Sequence, residues 1–201
     1  MTERPIIFNG DMVRAILRGE KTQTRRPVKP QPDRAPASVS PLQMFDDARW
    51  RSWKCPFGEP GDRLWVRETF ALGEPPYFGV AYRADEGDNP EDVGGERQKW
   101  TPSIHMPRYL SRITLEITDI NAERVQDITE DDARAEGVKP EFRTVVARSD
   151  GGPDYHIPCS YRGGFANTWD AIYAKRSGLS WDENPWVWAI TFRHVETSHG
   201  G

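Results

Sequence analysis

Residues 19–26 of the chain, GEKTQTRR, stand between a predicted helix and a predicted strand. Asn9 is a suitable N-cap for that helix, and Gly19 is a suitable C-terminal end. Three apolar side chains between them repeat with helical spacing: Met12, Ile16 and Leu17. The polar residues 21–28 favour an extended strand.

The spacing within this stretch places its side chains. Residues three apart face opposite sides of a regular strand, so Lys21 is expected in the turn after the helix, from which its long side chain can reach Thr24. Gly19 makes such a turn feasible. On the strand itself Thr22, Thr24 and Arg26 share one face, which suits contact with an anion or a base.

Composition indicates a folded domain with many turns. The 201 residues are 36% hydrophobic and 29% charged, with 17 Pro and 17 Gly. This length suits one domain. We predict a single domain over residues 1–201, with loop insertions at about 29–57 and 84–108.

Charge is unevenly distributed along the chain. The net charge of −4 excludes a protein that is uniformly coated with basic residues. Residues 12–32 nonetheless carry six basic residues and one acid, whereas residues 85–96 carry six acids and no base. This pattern has two interpretations: a field focused on one groove, or a solvated helix face and an acidic loop.

Cysteine usage and hydropathy predict a cytoplasmic protein. The two cysteines, Cys55 and Cys159, lie far apart, and no signal-like or membrane-spanning apolar run is found in the sequence. We expect a reducing compartment, both thiols free and no membrane partner.

Strand and helix signals alternate irregularly. Predicted strands are residues 6–8, 63–70, 77–82, 109–120 and 186–195, and predicted later helices are residues 127–137 and 164–176. Thr129 is the predicted cap of the first of these helices, and acidic residues fill its first turn. Because no regular strand–helix–strand order appears, we predict an α+β fold. Its mostly antiparallel sheet is expected to close into a β-barrel with two or three flanking helices.

Four segments, in order, resemble the signature of the ASCH superfamily, which has a PUA-like fold. Residues 19–26 resemble its G-x-K-T-x-T-x-R motif. The other three are residues 60–66 (PGDRLWV), 128–136 (ITEDDARAE) and 184–192 (NPWVWAITF), which resemble a strand entry, a helix and the closing strand. Residues 55–68 and 102–108 are similar to segments of long, Trp-rich members from phages and prophages.

The resemblance implies a protein that binds nucleic acid, with RNA favoured over DNA, or a modified nucleoside, and that needs no cofactor. Distant relatives are the bacterial N4-acetylcytidine amidohydrolases, whose working Lys, Thr and Glu correspond to Lys21, Thr24 and Glu136. A threonine hydroxyl attacks an amide only when a base takes its proton, and a lysine is that base only if its pKa is lowered. Arg25 and Arg26 could supply like charge, and a glutamic acid can protonate the leaving amine.

Two other functions fit the same residues. One is a non-catalytic RNA- or DNA-binding module of phage origin, and the other is a nuclease that uses Lys21 and Glu136 for proton transfer. The purely structural alternative makes Lys21 and Thr24 a surface strand start and Glu136 a solvated residue in the last helical turn.

Further ligand contacts are expected from five residues: Thr22, Arg25, Arg26, Arg67 and Glu68. We expect Trp65 and Arg67 on opposite faces of their strand, with Trp65 packed inward and Arg67 facing the ligand. Glu68 is either a second carboxylate of the cleft or a salt-bridge partner at the barrel rim.

A zinc site is a weaker hypothesis. Its four candidate ligands are Cys55, His105, His156 and Cys159. Their spacing matches no standard zinc ribbon, so no metal is predicted.

Overall fold

The structure is a computed structural model, and it describes residues 1–32, 54–73, 79–86, 99–145 and 155–195. The chain divides into two compact units. The first unit comprises Met1–Thr22, Trp53–Ile120 and Ile190–Gly201, and the second comprises Gln23–Ser52 and Asn121–Ala189. That residues 1–201 act as a single domain stays a prediction.

The described residues form nine strands and four α-helices. In chain order these are β1 (Glu3–Ile7), α1 (Gly10–Leu17), β2 (Gln23–Pro27), β3 (Arg63–Arg67), β4 (Phe70–Leu72), β5 (Val80–Tyr82), α2 (Arg83–Glu86), β6 (Thr114–Arg124), α3 (Glu130–Ala135), β7 (Glu141–Val145), β8 (Tyr155–Ser160), α4 (Tyr161–Tyr173) and β9 (Trp186–Val195). Short 3-10 turns lie at Ser103–His105, Arg108–Leu110 and Val125–Asp127.

Five strands make one sheet in the order β1-β3-β6-β9-β2, and β4-β5 and β7-β8 are two-stranded sheets. The pairings β3–β6, β4–β5 and β7–β8 are antiparallel, but β1 runs parallel to β3, with Glu3 opposite Arg63. The α+β class is therefore confirmed. The predicted closed barrel is not found among the described residues, where the five-stranded sheet has β1 and β2 as its edges.

The core of the first unit follows from strand alternation. Leu64 and Val66 on β3 are buried, as are Ile6 on β1 and Leu115 and Ile117 on β6. Since alternate residues of a strand face one side, the side chains between these positions lie on the opposite face of the sheet.

The core of the second unit lies around α3 and α4. Its buried members are Val125, Ile128, Ala133, Phe165, Trp169, Tyr173, Leu179 and Val187. Gly164 brings α4 against the main chain before β7, where any Cβ at this position would clash with the carbonyl of Lys139. A residue larger than glycine would force α4 away from that chain segment.

The helix caps agree with the sequence predictions. Asn9 Oδ1 accepts a hydrogen bond from Met12 N–H at 2.9 Å at the start of α1, and Thr129 caps α3. The strand predicted at 109–120 begins only at Thr114, because residues 108–110 form a 3-10 turn. Much of both predicted insertions lies outside the described residues. Within the described ranges, no helix is long and apolar enough to cross a membrane.

Candidate functional site

Lys21 lies in the turn after α1, as predicted. Gly19 has φ +73°, a left-handed conformation that favours glycine, and Lys21 N–H donates to Ala15 C=O at 3.1 Å. The Lys21 side chain is only 2% exposed, and its Nζ lies 5.4 Å from the centre of the Phe8 ring. Lysine is almost never buried to this extent without compensating partners. The surface position of the structural alternative is therefore wrong for Lys21.

Thr24 and Arg25 are adjacent residues of β2, and both are buried. Because successive side chains of a strand point to opposite faces, both faces of β2 are covered at this point. Thr22 is exposed and precedes the strand, and Arg26 is half-buried. Contact of these four residues with a ligand stays a prediction.

Arg25 is the centre of an ion-pair cluster in the second unit. Its Nε donates to Glu123 Oε1 at 2.7 Å, its Nη2 lies 3.5 Å from Asp132 Oδ2, and its Nη1 lies 3.4 Å from Glu136 Oε1. The guanidinium also lies 6.0 Å from the centre of the Phe165 ring. One arginine thus faces three carboxylates, and Arg25 and Glu136 are the two buried members of this cluster.

Glu136 is placed by the end of α3. It is the C-cap residue of that helix, Gly137 follows with φ +71°, and the Glu136 side chain is 3% exposed. The solvated position of the structural alternative is therefore wrong for Glu136. The structure brings Glu136 to Arg25, within one unit.

Glu123 contributes a second carboxylate with an altered environment. Burial raises its pKa, while the charge and hydrogen bond of Arg25 act in the opposite direction. Glu123 and Asp132 were not predicted from the sequence, because they lie about a hundred residues from Arg25 in the chain. The acidic run at 130–132 was interpreted only as a helix start.

Glu68 forms a separate cluster in the first unit. It is buried, and both its oxygens accept hydrogen bonds from Arg112, at 2.9 and 3.0 Å. Arg112 also binds Asp85 and lies 4.0 Å from the centre of the Tyr82 ring. Burial raises the pKa of Glu68, and the partner Arg112 opposes this shift. Of the two alternatives for Glu68, the salt bridge is the one observed. Contact of Glu68 with a ligand stays a prediction.

Arg67 and Trp65 lie on the same face of β3, and the prediction of opposite faces was wrong. The Arg67 guanidinium lies 4.6 Å from the centre of the Trp65 ring, as expected for residues two apart on a strand. Arg67 also donates to the carbonyl of Ile104 at 3.3 Å. Trp65 is buried beneath this guanidinium.

Only two of the four candidate zinc ligands, Cys55 and His105, have side chains that the structure describes. Cys55 is buried, and burial raises the pKa of its thiol to about 11, whereas His105 is exposed. The side chains of His156 and Cys159 are not among those described. In the part of the chain that the structure covers, no three His, Cys, Asp or Glu side chains cluster as metal ligands.

Comparison with known proteins gives matches to solved structures. No family model and no curated protein matches the chain. The chain is similar to protein EF3133 from Enterococcus faecalis V583, a DUF984 protein, at 10% identity and a TM-score of 0.43, covering 100% of this chain and 85% of that one. It is also similar to an ASCH domain from Lactobacillus crispatus JV V101, at 13% identity and a TM-score of 0.38, covering 98% and 81%. The second structure belongs to the family that the sequence motifs resemble.

Proposed function

We propose that the chain binds nucleic acid or a modified nucleoside and hydrolyses an N-acylated base of the N4-acetylcytidine type. One observation carries the proposal: Lys21, Thr24 and Glu136, the three residues that match the amidohydrolase set, are all buried. Ionisable and hydroxyl groups withdrawn from water interact more strongly with a bound substrate than exposed ones do. A role on the protein surface would not require these three side chains to be buried.

The proposed reaction assigns one step to each residue. Thr24 Oγ attacks the acetyl carbonyl carbon while Lys21 Nζ accepts the hydroxyl proton. The bond from that carbon to N4 then breaks, and N4 takes a proton from Glu136 as cytidine leaves. Water hydrolyses the resulting Thr24 ester, which releases acetate and restores the hydroxyl.

The test is the release of acetate and cytidine from N4-acetylcytidine in equal amounts. We expect Thr24→Val, which keeps the side-chain shape but lacks the hydroxyl, and Lys21→Met to abolish turnover. Thr24→Ser should retain part of it. Glu136→Gln should lower kcat by about 10²- to 10⁴-fold, the usual contribution of a general acid.

Glu20→Gln is the matched control, because Glu20 lies in the same motif but is exposed and pairs with Arg18 at 2.7 Å. Its turnover should equal that of the wild type. Thermal melting of every variant separates lost chemistry from lost folding. Salt-sensitive RNA binding with no product would instead support a non-catalytic module, and strand scission would support a nuclease.

A further inference from the structure

One face of β3 carries an unusual run of side chains. Leu64 and Val66 point into the core, so Arg63, Trp65 and Arg67 share the opposite face. The contact between Arg67 and Trp65 confirms this arrangement. We refer to Arg63, Trp65, Arg67 and the residues that contact them as the arginine–tryptophan face; all of it belongs to the first unit.

Neighbouring strands extend this face on both sides. In register with Arg63, Trp65 and Arg67, β1 places Glu3, Pro5 and Ile7, and β6 places Glu116 and Thr114 beside the first two. The register places Arg63 beside Glu3. The pKa of Glu3 is lowered, first by a hydrogen bond from Arg108 and also by the charge of Arg63.

The two glutamates of this face are already paired. Arg108 donates to both oxygens of Glu3 at 2.8 Å, and Arg193 donates to both oxygens of Glu116 at 2.9 Å. Four arginines therefore face two carboxylates, which leaves two positive charges (4 − 2 = +2) on a chain whose net charge is −4.

Arg63 and Arg67 hold that excess charge. Within the described ranges, neither has a carboxylate at ion-pair distance, and the buried Nε of each has no hydrogen-bond partner. A guanidinium has five N–H donors in a planar fork that matches phosphate oxygens. These two side chains thus retain donors and charge for an anionic partner.

The Trp65 ring fixes the direction of these arginines. The Arg67 guanidinium lies 4.6 Å from its centre and that of Arg108 lies 6.0 Å from it, and Trp65 is 8% exposed. The ring is thus covered and cannot itself stack on a base, but it orders both guanidiniums through cation–π contact.

Exposed apolar side chains stand beside the charges. Tyr109, the residue after Arg108, is 82% exposed, and Ile104, whose carbonyl accepts from Arg67, is 58% exposed. A freely accessible tyrosine ring next to arginines is the combination with which proteins hold unpaired bases and their phosphates.

The spacing of Arg63 and Arg67 selects an extended anion. Four residues along a strand separate their Cα atoms by about 13 Å, which is far larger than one phosphate group. We propose that the arginine–tryptophan face binds the phosphate backbone of a single-stranded nucleic acid, with Tyr109 stacking on a base. This inference rests on the proposed function in one respect. The base that is hydrolysed in the proposed reaction would belong to the bound strand and would not be a free nucleoside.

The experiment measures binding of fluorescent 12-nucleotide RNA and DNA strands by anisotropy between 50 and 300 mM salt. The double variant Arg63→Gln/Arg67→Gln should lower affinity at least tenfold and reduce the slope of log K against log salt by about 1.4, which is two contacts at about 0.7 each on single strands. Tyr109→Ala should lower affinity about 5- to 150-fold with an unchanged salt slope.

Arg18→Gln is the control, because Arg18 is exposed and paired with Glu20. It should bind like the wild type. Arg67→Lys, which keeps the charge, should retain the salt slope, and thermal melting checks the folding of each variant. An unchanged slope in the folded double variant, an equal loss in Arg18→Gln, or equal competition by an acidic peptide would overturn the inference.

Turnover of N4-acetylcytidine, both as the free nucleoside and within a 12-nucleotide strand, separates this inference from the proposed function. If acetate is released from neither substrate but strand binding depends on Arg63 and Arg67, the inference stands and the amidohydrolase proposal fails. If acetate is released and strand binding is unchanged in the double variant, the reverse holds.

Discussion

At the residue scale, burial and charge oppose each other at Glu68. Its folded pKa is raised above the ordinary value of 4.5, so the folded state binds this proton more tightly than the unfolded chain does. The residue's contribution to the free energy of unfolding therefore falls as pH rises from about 4.5 through the folded pKa. We expect the wild type to lose stability relative to Glu68→Gln over that range.

Urea unfolding of both proteins at pH 4, 5, 6 and 7 measures this difference. Arg112→Gln is the companion variant, since it removes the opposing charge and should steepen the loss with pH. If the wild type instead becomes more stable relative to Glu68→Gln as pH rises, the ion pair with Arg112 outweighs the effect of burial.

Residue contacts were only partly predictable from sequence. The position of Lys21 followed from local geometry, because a glycine turn and strand spacing involve neighbouring residues. The contacts of Arg25 with Glu123 and Glu136 did not, since 98 and 111 residues separate the partners. No local pattern encodes such a pair.

At the element scale, α3 depends on one cap. Thr129 Oγ1 accepts from Asp132 N–H at 3.1 Å, and Thr129 is exposed, so its replacement removes a cap without disturbing the core. Thr129→Ala should lower the free energy of unfolding by about 1 kcal/mol, and Thr129→Ser should retain most of it. Urea unfolding at pH 7 measures both, and equal stability of the alanine and serine variants would contradict the cap's role.

The starts of α1 and α3 were predicted well, whereas α4, which Ser160 caps, begins three residues before its predicted start and the paired strands were predicted less well. Asn9 and Thr129 marked the starts of α1 and α3 because a cap is a property of a few adjacent residues. The hairpin of β7 and β8 was not predicted, although the sequence DGGPD at 150–154 is a turn signal between its strands. A short strand becomes recognisable mainly through the partner that it pairs with.

At the scale of the whole molecule, Cys55 reports on global unfolding. Burial raises the pKa of its thiol to about 11, so little thiolate is present near pH 8. In a Cys159→Ser background we expect slow reaction with a disulfide reagent in the native state and fast reaction in urea. Absorbance of the released thiol follows both rates, and rapid native reaction would contradict the buried position.

The order of strands in the large sheet is a property of the whole chain. Hydropathy predicted an α+β fold, but it could not reveal that β1 runs parallel to β3 or that the described sheet has open edges. Pairing direction depends on the path of the connecting chain, and the local periodicity of hydrophobic residues does not indicate that path.

The parallel pairing of β1 with β3 has a consequence for how the chain tolerates change. Thr2 N–H donates to Asp62 Oδ1 across 60 positions, which holds the start of β1 beside the start of β3. The connection between the two strands contains α1 and β2 and is therefore not a free loop. A one-residue slip of β1 should not be tolerated, because it would place the exposed Ile7 where the buried Ile6 now packs.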